Sequence, residues 1–183
     1  MEHNKRCVWC NPKNPKYIAY HDTEWGQPNF DDKYLYEIFI LETFQSGLSW
    51  ECILNKRDAF RQAFDNFDLD SVCTYDGQKI TELLDNKGIV RNRNKICACI
   101  SNSKIFKEIV TEFGSFHKYL DTFSGGKIQY ITNKTRNELS DKIAIDLKKR
   151  GMKFIGSTTI YSYLQAIGVI YSHEKECYMY KEK

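Results

Sequence analysis

Two cysteines and two histidines near the ends of this 183-residue chain could close a metal site. His173 and Cys177 are spaced i, i+4, so on a helical turn they share one face, while Cys7 and His21 lie in a segment with poor helical signals. Two thiolates and two imidazoles form a closed tetrahedral set for Zn²⁺, electrically neutral when filled and with no position left for water. Such a structural site, one per chain, would tie the N-terminal coil to the C-terminal tail and give the coil a reason to be ordered. On spacing alone two alternatives stay open. His173 and Cys177 could be exposed and idle in a polar tail, or Cys7 could work with Cys10 as a C-x-x-C pair, although the second such pair these motifs normally need is missing.

A second constellation is aromatic. Trp9, Tyr17, Tyr20, Trp25, Phe30 and Trp50 crowd the first fifty residues and include every tryptophan of the chain. Aromatic walls with one carboxylate suit a flat, nitrogen-rich ligand such as a nucleobase. Glu42, within Phe39-Ile40-Leu41-Glu42-Thr43-Phe44, is the candidate carboxylate, either on a solvent face or buried for a purpose. A third constellation is the run from Leu83 to Lys95, where a helix ends, Gly88-Ile89-Val90 turns, and another helix starts among Lys87, Arg91, Arg93 and Lys95. This resembles a helix-hairpin-helix, in which backbone N–H groups and a helix N-terminus meet a DNA phosphate. A plain helix–helix connection uses glycine in the same way.

These groups need a scaffold, and the sequence predicts a helical one. All three prolines fall within the first thirty residues, which predicts an irregular start followed by helices. Asp31 or Asp32 caps a helix ending before Gly47, and Ser49 caps one carrying Trp50, Ile53, Leu54, Phe60 and Phe64 on one face. Short helices follow near 69–75 and 78–85. A long helix runs from Asn92 to Gly114, then come helices over 116–123, from a Ser140 cap to Gly151, and over 158–167. Only 126–132 reads as β-like. The fold class is all-α, a single domain over 1–183, with 1–25 and 165–183 joined by the metal.

Hydrophobic residues at 42% and charged residues at 28% describe a soluble globular composition. The mean hydropathy is −0.57, and no run reaches the ~20 apolar residues of a membrane span. Met1-Glu2-His3-Asn4-Lys5-Arg6 is followed by no apolar stretch, so a secretory signal is not expected. Seven cysteines without an export signal fit reduced thiols in a cytoplasm. Residues 31–90 carry six basic and twelve acidic groups, net −6, and residues 91–183 seventeen and nine, net +8. The asymmetry permits an anionic partner.

Several long blocks together resemble the bacterial DNA-3-methyladenine glycosylase I family. They are Cys7-Val8-Trp9, Tyr17 through Gly26 (YIAYHDTEWG), Leu41 through Trp50 (LETFQSGLSW), Gly88 through Lys95 (GIVRNRNK), Lys149 through Thr159 (KRGMKFIGSTT), and His173 with Cys177. They stand in the family's order and span nearly the whole chain. The resemblance implies a helix-hairpin-helix glycosylase that hydrolyses the N-glycosidic bond of N3-methyladenine in alkylated double-stranded DNA. The products are the free base and an abasic site, and the enzyme is expected to be a cytoplasmic monomer. It assigns Cys7, His21, His173 and Cys177 to a structural zinc, and Glu42 to the base as the catalytic carboxylate. Trp50 becomes the stacking wall, and Trp9, Tyr17, Tyr20 and Trp25 complete the pocket. Gly47 and Leu48 would probe the gap left by the flipped nucleotide, and Gly88, Ile89, Val90 and Arg91 would grip the backbone. Cys10 and the Thr43-Phe44 pair depart from the family pattern.

Lys, Arg and Asn follow Gly88, where most hairpin glycosylases carry a catalytic Asp, and no Lys matches a Schiff-base position. That suits a substrate already cationic at the base, which leaves without protonation. Two other classes explain less. A non-catalytic DNA-binding module accounts for the basic half but not for Glu42 among aromatics, and a zinc-stabilised interaction domain leaves the hairpin without a role.

Overall fold

Ten consecutive residues, Leu35 to Phe44, are buried in helix α2 (Asp32–Gln45), which therefore runs through the centre of the molecule instead of showing it one face. Asp31 caps it by accepting from the Tyr34 N–H. The computed structural model describes residues 5–182; Met1 to Asn4 and Lys183, parts of the expected 1–183 domain, lie outside the described residues. Around α2 pack α7 (Arg93–Phe113), α8 (Phe116–Ser124) and α10 (Ser157–Ala166), through Phe39, Phe106, Phe116 and Tyr163. The Phe106 and Phe116 rings stack at 4.0 Å. Gly114 and Gly125 end α7 and α8 in the left-handed conformation that glycine adopts without a steric penalty.

The structure corrects the sequence reading at several places. The start of the chain is not all coil: α1 (Pro15–Thr23) is a helix, with Asn14 as its cap and Pro15 in its first turn, where a missing N–H costs nothing. Its buried face is Tyr17, Tyr20 and His21, aromatic and polar residues that do not register as an apolar stripe. The helix expected from Ser49 to Phe64 is two, α3 (Trp50–Asn55) and α4 (Arg57–Ala63), meeting at Lys56. After α5 (Leu69–Cys73) and α6 (Gly77–Asp85), α7 starts as expected, capped by Asn92. Asn137, not Ser140, caps α9 (Glu138–Lys149); Ser140 completes a reciprocal capping box three residues in.

The β-like run contains β1 (Gln129–Tyr130), which pairs in parallel with β2 (Ile170–Tyr171), a partner that two apolar residues after α10 did not announce. No helix among the described residues is long and apolar enough to cross a membrane.

The N-terminal arm reaches the C-terminal segment through a close approach at Gly168. Its φ is +78°, and a Cβ there would stand 2.4 Å from the Pro28 nitrogen and 2.6 Å from the Gln27 carbonyl carbon. Backbone on both sides cannot give way. Gly168→Ala is expected to destabilise the protein by about 3 kcal/mol, through left-handed strain plus overpacking. A urea midpoint equal to that of wild type would show that the arm does not pack there.

Candidate functional site: an aromatic cleft beside a Cys/His cluster

The N-terminal arm, α1, the end of α2, the start of α3 and one face of α10 enclose an open cleft of about 360 Å³. Trp9, Tyr17, Tyr20, Trp25, Glu42 and Trp50 all line it, so the structure brings together the six residues expected to bind the base. The rings brace one another. Trp9 is 5.2 Å from Tyr17 and 4.8 Å from Trp25, and Tyr20 is 5.4 Å from Trp50, centroid to centroid.

Glu42 is 4% exposed, its Oε2 atom has no hydrogen-bond partner, and burial raises its pKa to about 8. The other buried glutamate of α2 shows the contrast: Glu37 accepts from Arg57 at 2.5 Å and from Arg61 at 2.9 Å. One helix thus carries one satisfied buried carboxylate and one without a partner, and the second faces the cleft. The Trp50 indole N–H is also buried without an acceptor. A buried donor and a buried acceptor left open beside aromatic faces are complementary to a flat ligand that carries both.

The sequence reading missed Gln45, Asn133, Lys134, Ser162, Gln165, Ser172 and Glu174, which also line the cleft. Gln45 was accessible, three residues after Glu42 on the same helix. Ser162 and Gln165 follow Thr158 at helical spacing on α10. Asn133 and Lys134 come from a loop and carried no signal.

The cleft continues into a groove lined by Glu42, Gln45, Ser46, Gly47, Leu48, Thr158, Thr159 and Ser162. Gly47 has φ +78° with open space where a Cβ would be, and Leu48 is 40% exposed beside it. Below lies the turn between α6 and α7. Lys87, Arg91, Asn92, Arg93 and Asn94 are exposed there, Gly88 and Val90 are half-buried, and Ile89 is buried. Gly88 fits a tight space and needs no left-handed backbone: a Cβ would stand 3.0 Å from the Ala59 Cβ and from Asn86 Oδ1. Lys95, counted among the basic residues of this turn, is buried. Its ammonium donates to the carbonyls of Phe44 and Ser46.

Behind the cleft, one ligand atom from each of Cys7, His21, His173 and Cys177 lies within 4.8 Å of the others, and all four side chains are buried. Cys7 Sγ is 3.5 Å from His173 Nδ1, and Cys177 Sγ is 3.4 Å from His21 Nε2 and 3.6 Å from His173 Nδ1. The cluster could hold a metal ion. His173 and Cys177 meet on a tight turn, with the Cys177 N–H on the Glu174 carbonyl, and not on a helix. Cys10 is elsewhere, its thiol on the Tyr17 carbonyl. Arg6 holds Asp22, whose pKa falls to about 2 mainly through that hydrogen bond, and Asp22 in turn fixes His21 through Nδ1 at 2.8 Å. Burial pushes the Cys7 thiol up and His173 down to about 4. The His173 ring packs edge-on against Trp25 at 4.7 Å, which makes the cluster the support of the cleft's inner wall.

The methyladenine glycosylase family model matches residues 9–180. The chain is 37% identical over 182 residues to DNA-3-methyladenine glycosylase 1 of Escherichia coli (strain K12), covering 96% of this chain and 97% of that one. It superposes on a crystal structure of 3-methyladenine DNA glycosylase I with a TM-score of 0.92 at 38% identity, over 97% of this chain and 100% of the other. A variant of 3-methyladenine DNA glycosylase I in complex with 3-methyladenine gives 0.89 at 33% identity, over 94% and 96%.

Glu42 sets a pH signature on stability. Its folded-state pKa of about 8 lies above the ordinary 4.5. Between those values the folded protein holds a proton that the unfolded chain has lost, so stability falls as pH rises through the window, by roughly 1.4 kcal/mol per unit. Glu42→Gln is expected to gain on wild type steadily from pH 5 to pH 8.5 in paired thermal melts. Parallel curves would mean that Glu42 reaches solvent.

Proposed function

The chain belongs to the methyladenine glycosylase family, and from that premise we propose how its cleft takes N3-methyladenine swung out of duplex DNA. The protein is a DNA glycosylase of base-excision repair: it hydrolyses the N-glycosidic bond of that base and leaves an abasic site. The observation that carries the assignment of the cleft is Glu42, buried and unpartnered among aromatic rings.

The empty cleft disfavours an anion, and a methylated, cationic adenine reverses that preference. Ionised Glu42 then pairs with the charge and accepts from the exocyclic amine, a donor that guanine does not offer at that edge. Trp50 and the rings of the N-terminal arm hold the cation between π faces. The C1′–N9 bond breaks with its electron pair going to the base, which leaves neutral; water adds to C1′ and releases a proton. A leaving group activated by its own charge needs no general acid. The protein's part is to extrude the nucleotide, select the base and orient it toward water. In this reading Leu48, at the exposed tip after Gly47, fills the vacated stack. The α6–α7 turn acts as a helix-hairpin-helix: the backbone at Gly88, Ile89 and Val90, the first-turn N–H groups of α7, and Arg91 grip phosphates. Ile89 contributes only backbone, since its side chain is in the core.

The Cys/His cluster is proposed to hold one structural zinc. Bonds of ~2.3 Å to sulfur and ~2.0 Å to nitrogen at the tetrahedral angle separate S from N by about 3.5 Å, against 3.4–3.6 Å for three S···N pairs here. Backbone N–H groups of Glu174 and Met179 point at Cys7 Sγ and Cys177 Sγ, which suits thiolates. With four protein ligands the ion would supply no chemistry to the reaction; its role would be to lock the arm that carries Trp9, Tyr17, Tyr20 and Trp25.

Three outcomes are expected. Glu42→Ala should slow release of 3-methyladenine from alkylated duplex on the order of tenfold to a hundredfold, and Glu42→Gln less, because a lost hydrogen bond to a charged group is worth roughly 1.5–3 kcal/mol; undiminished release by Glu42→Ala would displace the pocket. Leu48→Ala should lower release from duplex roughly tenfold, as unstacking loses its compensation, with unchanged affinity for the free base; equal losses in both assays would make Leu48 part of the core. Metal analysis should find one zinc per chain, and Cys177→Ala should lose it together with several kcal/mol of stability; a metal-free wild type of full stability would refute the site.

A further inference from the structure

The ammonium of Lys95 is an unusual use of a lysine. The residue belongs to the first turn of α7, beside exposed Arg91, Arg93 and Asn94, where a long cation would ordinarily reach outward toward a phosphate. The positive end of the α7 dipole disfavours a cation there. Instead the side chain turns inward, is 8% exposed, and donates to the Phe44 carbonyl at 2.8 Å and the Ser46 carbonyl at 2.5 Å. Both acceptors belong to the C-terminal end of α2, where the helix leaves carbonyls without intrahelical partners and presents its negative pole. Burial alone lowers the pKa of Lys95, so the inward position carries a desolvation cost that the two carbonyls offset.

The Lys95 backbone is fixed at the same time, because its N–H donates to the Asn92 cap that closes the α6–α7 turn. One residue therefore joins the hairpin to the last turn of α2. That turn carries Glu42 and leads directly into Gly47 and Leu48. A second tie runs from the α3–α4 junction, where the Lys56 ammonium donates to the Gly88 carbonyl at 3.2 Å, and α3 carries Trp50.

We propose that Lys95 is a positioning residue for base excision, holding the Phe44–Leu48 segment in register with the hairpin so that a duplex gripped by one is correctly placed for the other. The proposal rests on the glycosylase reading above. It does not act through the field of the ammonium on Glu42, whose displacement has burial as its only cause.

The test compares wild type with Lys95→Met, which keeps the apolar stem and removes the donors. Three quantities are measured: single-turnover release of 3-methyladenine from alkylated duplex, the Kd for undamaged duplex, and the Kd for free 3-methyladenine from tryptophan fluorescence. Small displacements of reacting groups are costly, so release should fall on the order of 10- to 100-fold while both affinities stay within about threefold. Release at the wild-type rate overturns the proposal, and so does a loss of free-base affinity in step with release, which marks a general collapse of the cleft. Lys95→Gln, whose shorter amide keeps a donor but not the reach, carries the same expectation and serves if the methionine variant does not fold. Wild-type turnover in the same assay anchors the glycosylase reading, so an unaffected variant overturns only the role of Lys95.

Discussion

The meeting of residues 7 and 21 with 173 and 177 is the constraint on which the cleft depends. Cys7 and His173 are 166 positions apart, and their ligand atoms come within 3.5 Å. The N-terminal arm has little regular structure: α1 has nine residues and turns flank it, so beside the cluster it is held by buried Tyr17, Tyr20 and Trp25 and by polar ties, with Asn11 and Asn14 donating to Glu51, Lys16 paired with Asp58 and Arg57 with Glu24. Yet this arm supplies four of the six aromatic and acidic walls. With the ends tied, Trp25 is pressed against His173 and Trp9 against Trp25, and the cleft acquires a rigid inner face.

On that frame the molecule accepts a locally unfavourable group. Glu42 would be stabilised by an arginine such as those that satisfy Glu37 five residues earlier, and has none. A buried polar atom left open is uncommon enough in folded proteins to ask for a reason, and in the function proposed above the reason is a partner that arrives from outside. On that proposal the same arrangement would account for selectivity. A carboxyl group that prefers to be neutral in the empty cleft gives its largest response to a ligand that brings positive charge, which an undamaged base does not.

Hydrogen bonds join the α6–α7 turn to the end of α2 and to the α3–α4 junction. Lys95, counted from sequence among the basic residues of the turn, and Lys56 at the α3–α4 junction each place their ammonium on backbone carbonyls between elements. The basic half of the chain therefore presents fewer free cations around the turn than its composition suggests, and part of its charge serves to hold helices in register.

Much of this was legible in the sequence because it is written locally. Helix caps at Asp31, Ser49 and Asn92 and the glycine stop at Gly114 depend on neighbours a few residues away, and the structure shows them where the residue types place them. The candidate ligands and cleft aromatics were legible for a different reason: their types are rare and their blocks resemble a known family. What residue order could not decide was direction. Whether Glu42 faced solvent, whether Lys95 pointed at a phosphate or a carbonyl, whether Cys7 worked with Cys10 or with residues 166 positions on, and which strand would pair with 129–130 all depend on segments that meet only after folding. Burial and partnership are properties of pairs distant in sequence, so the sequence named the groups and tertiary packing assigned their surroundings.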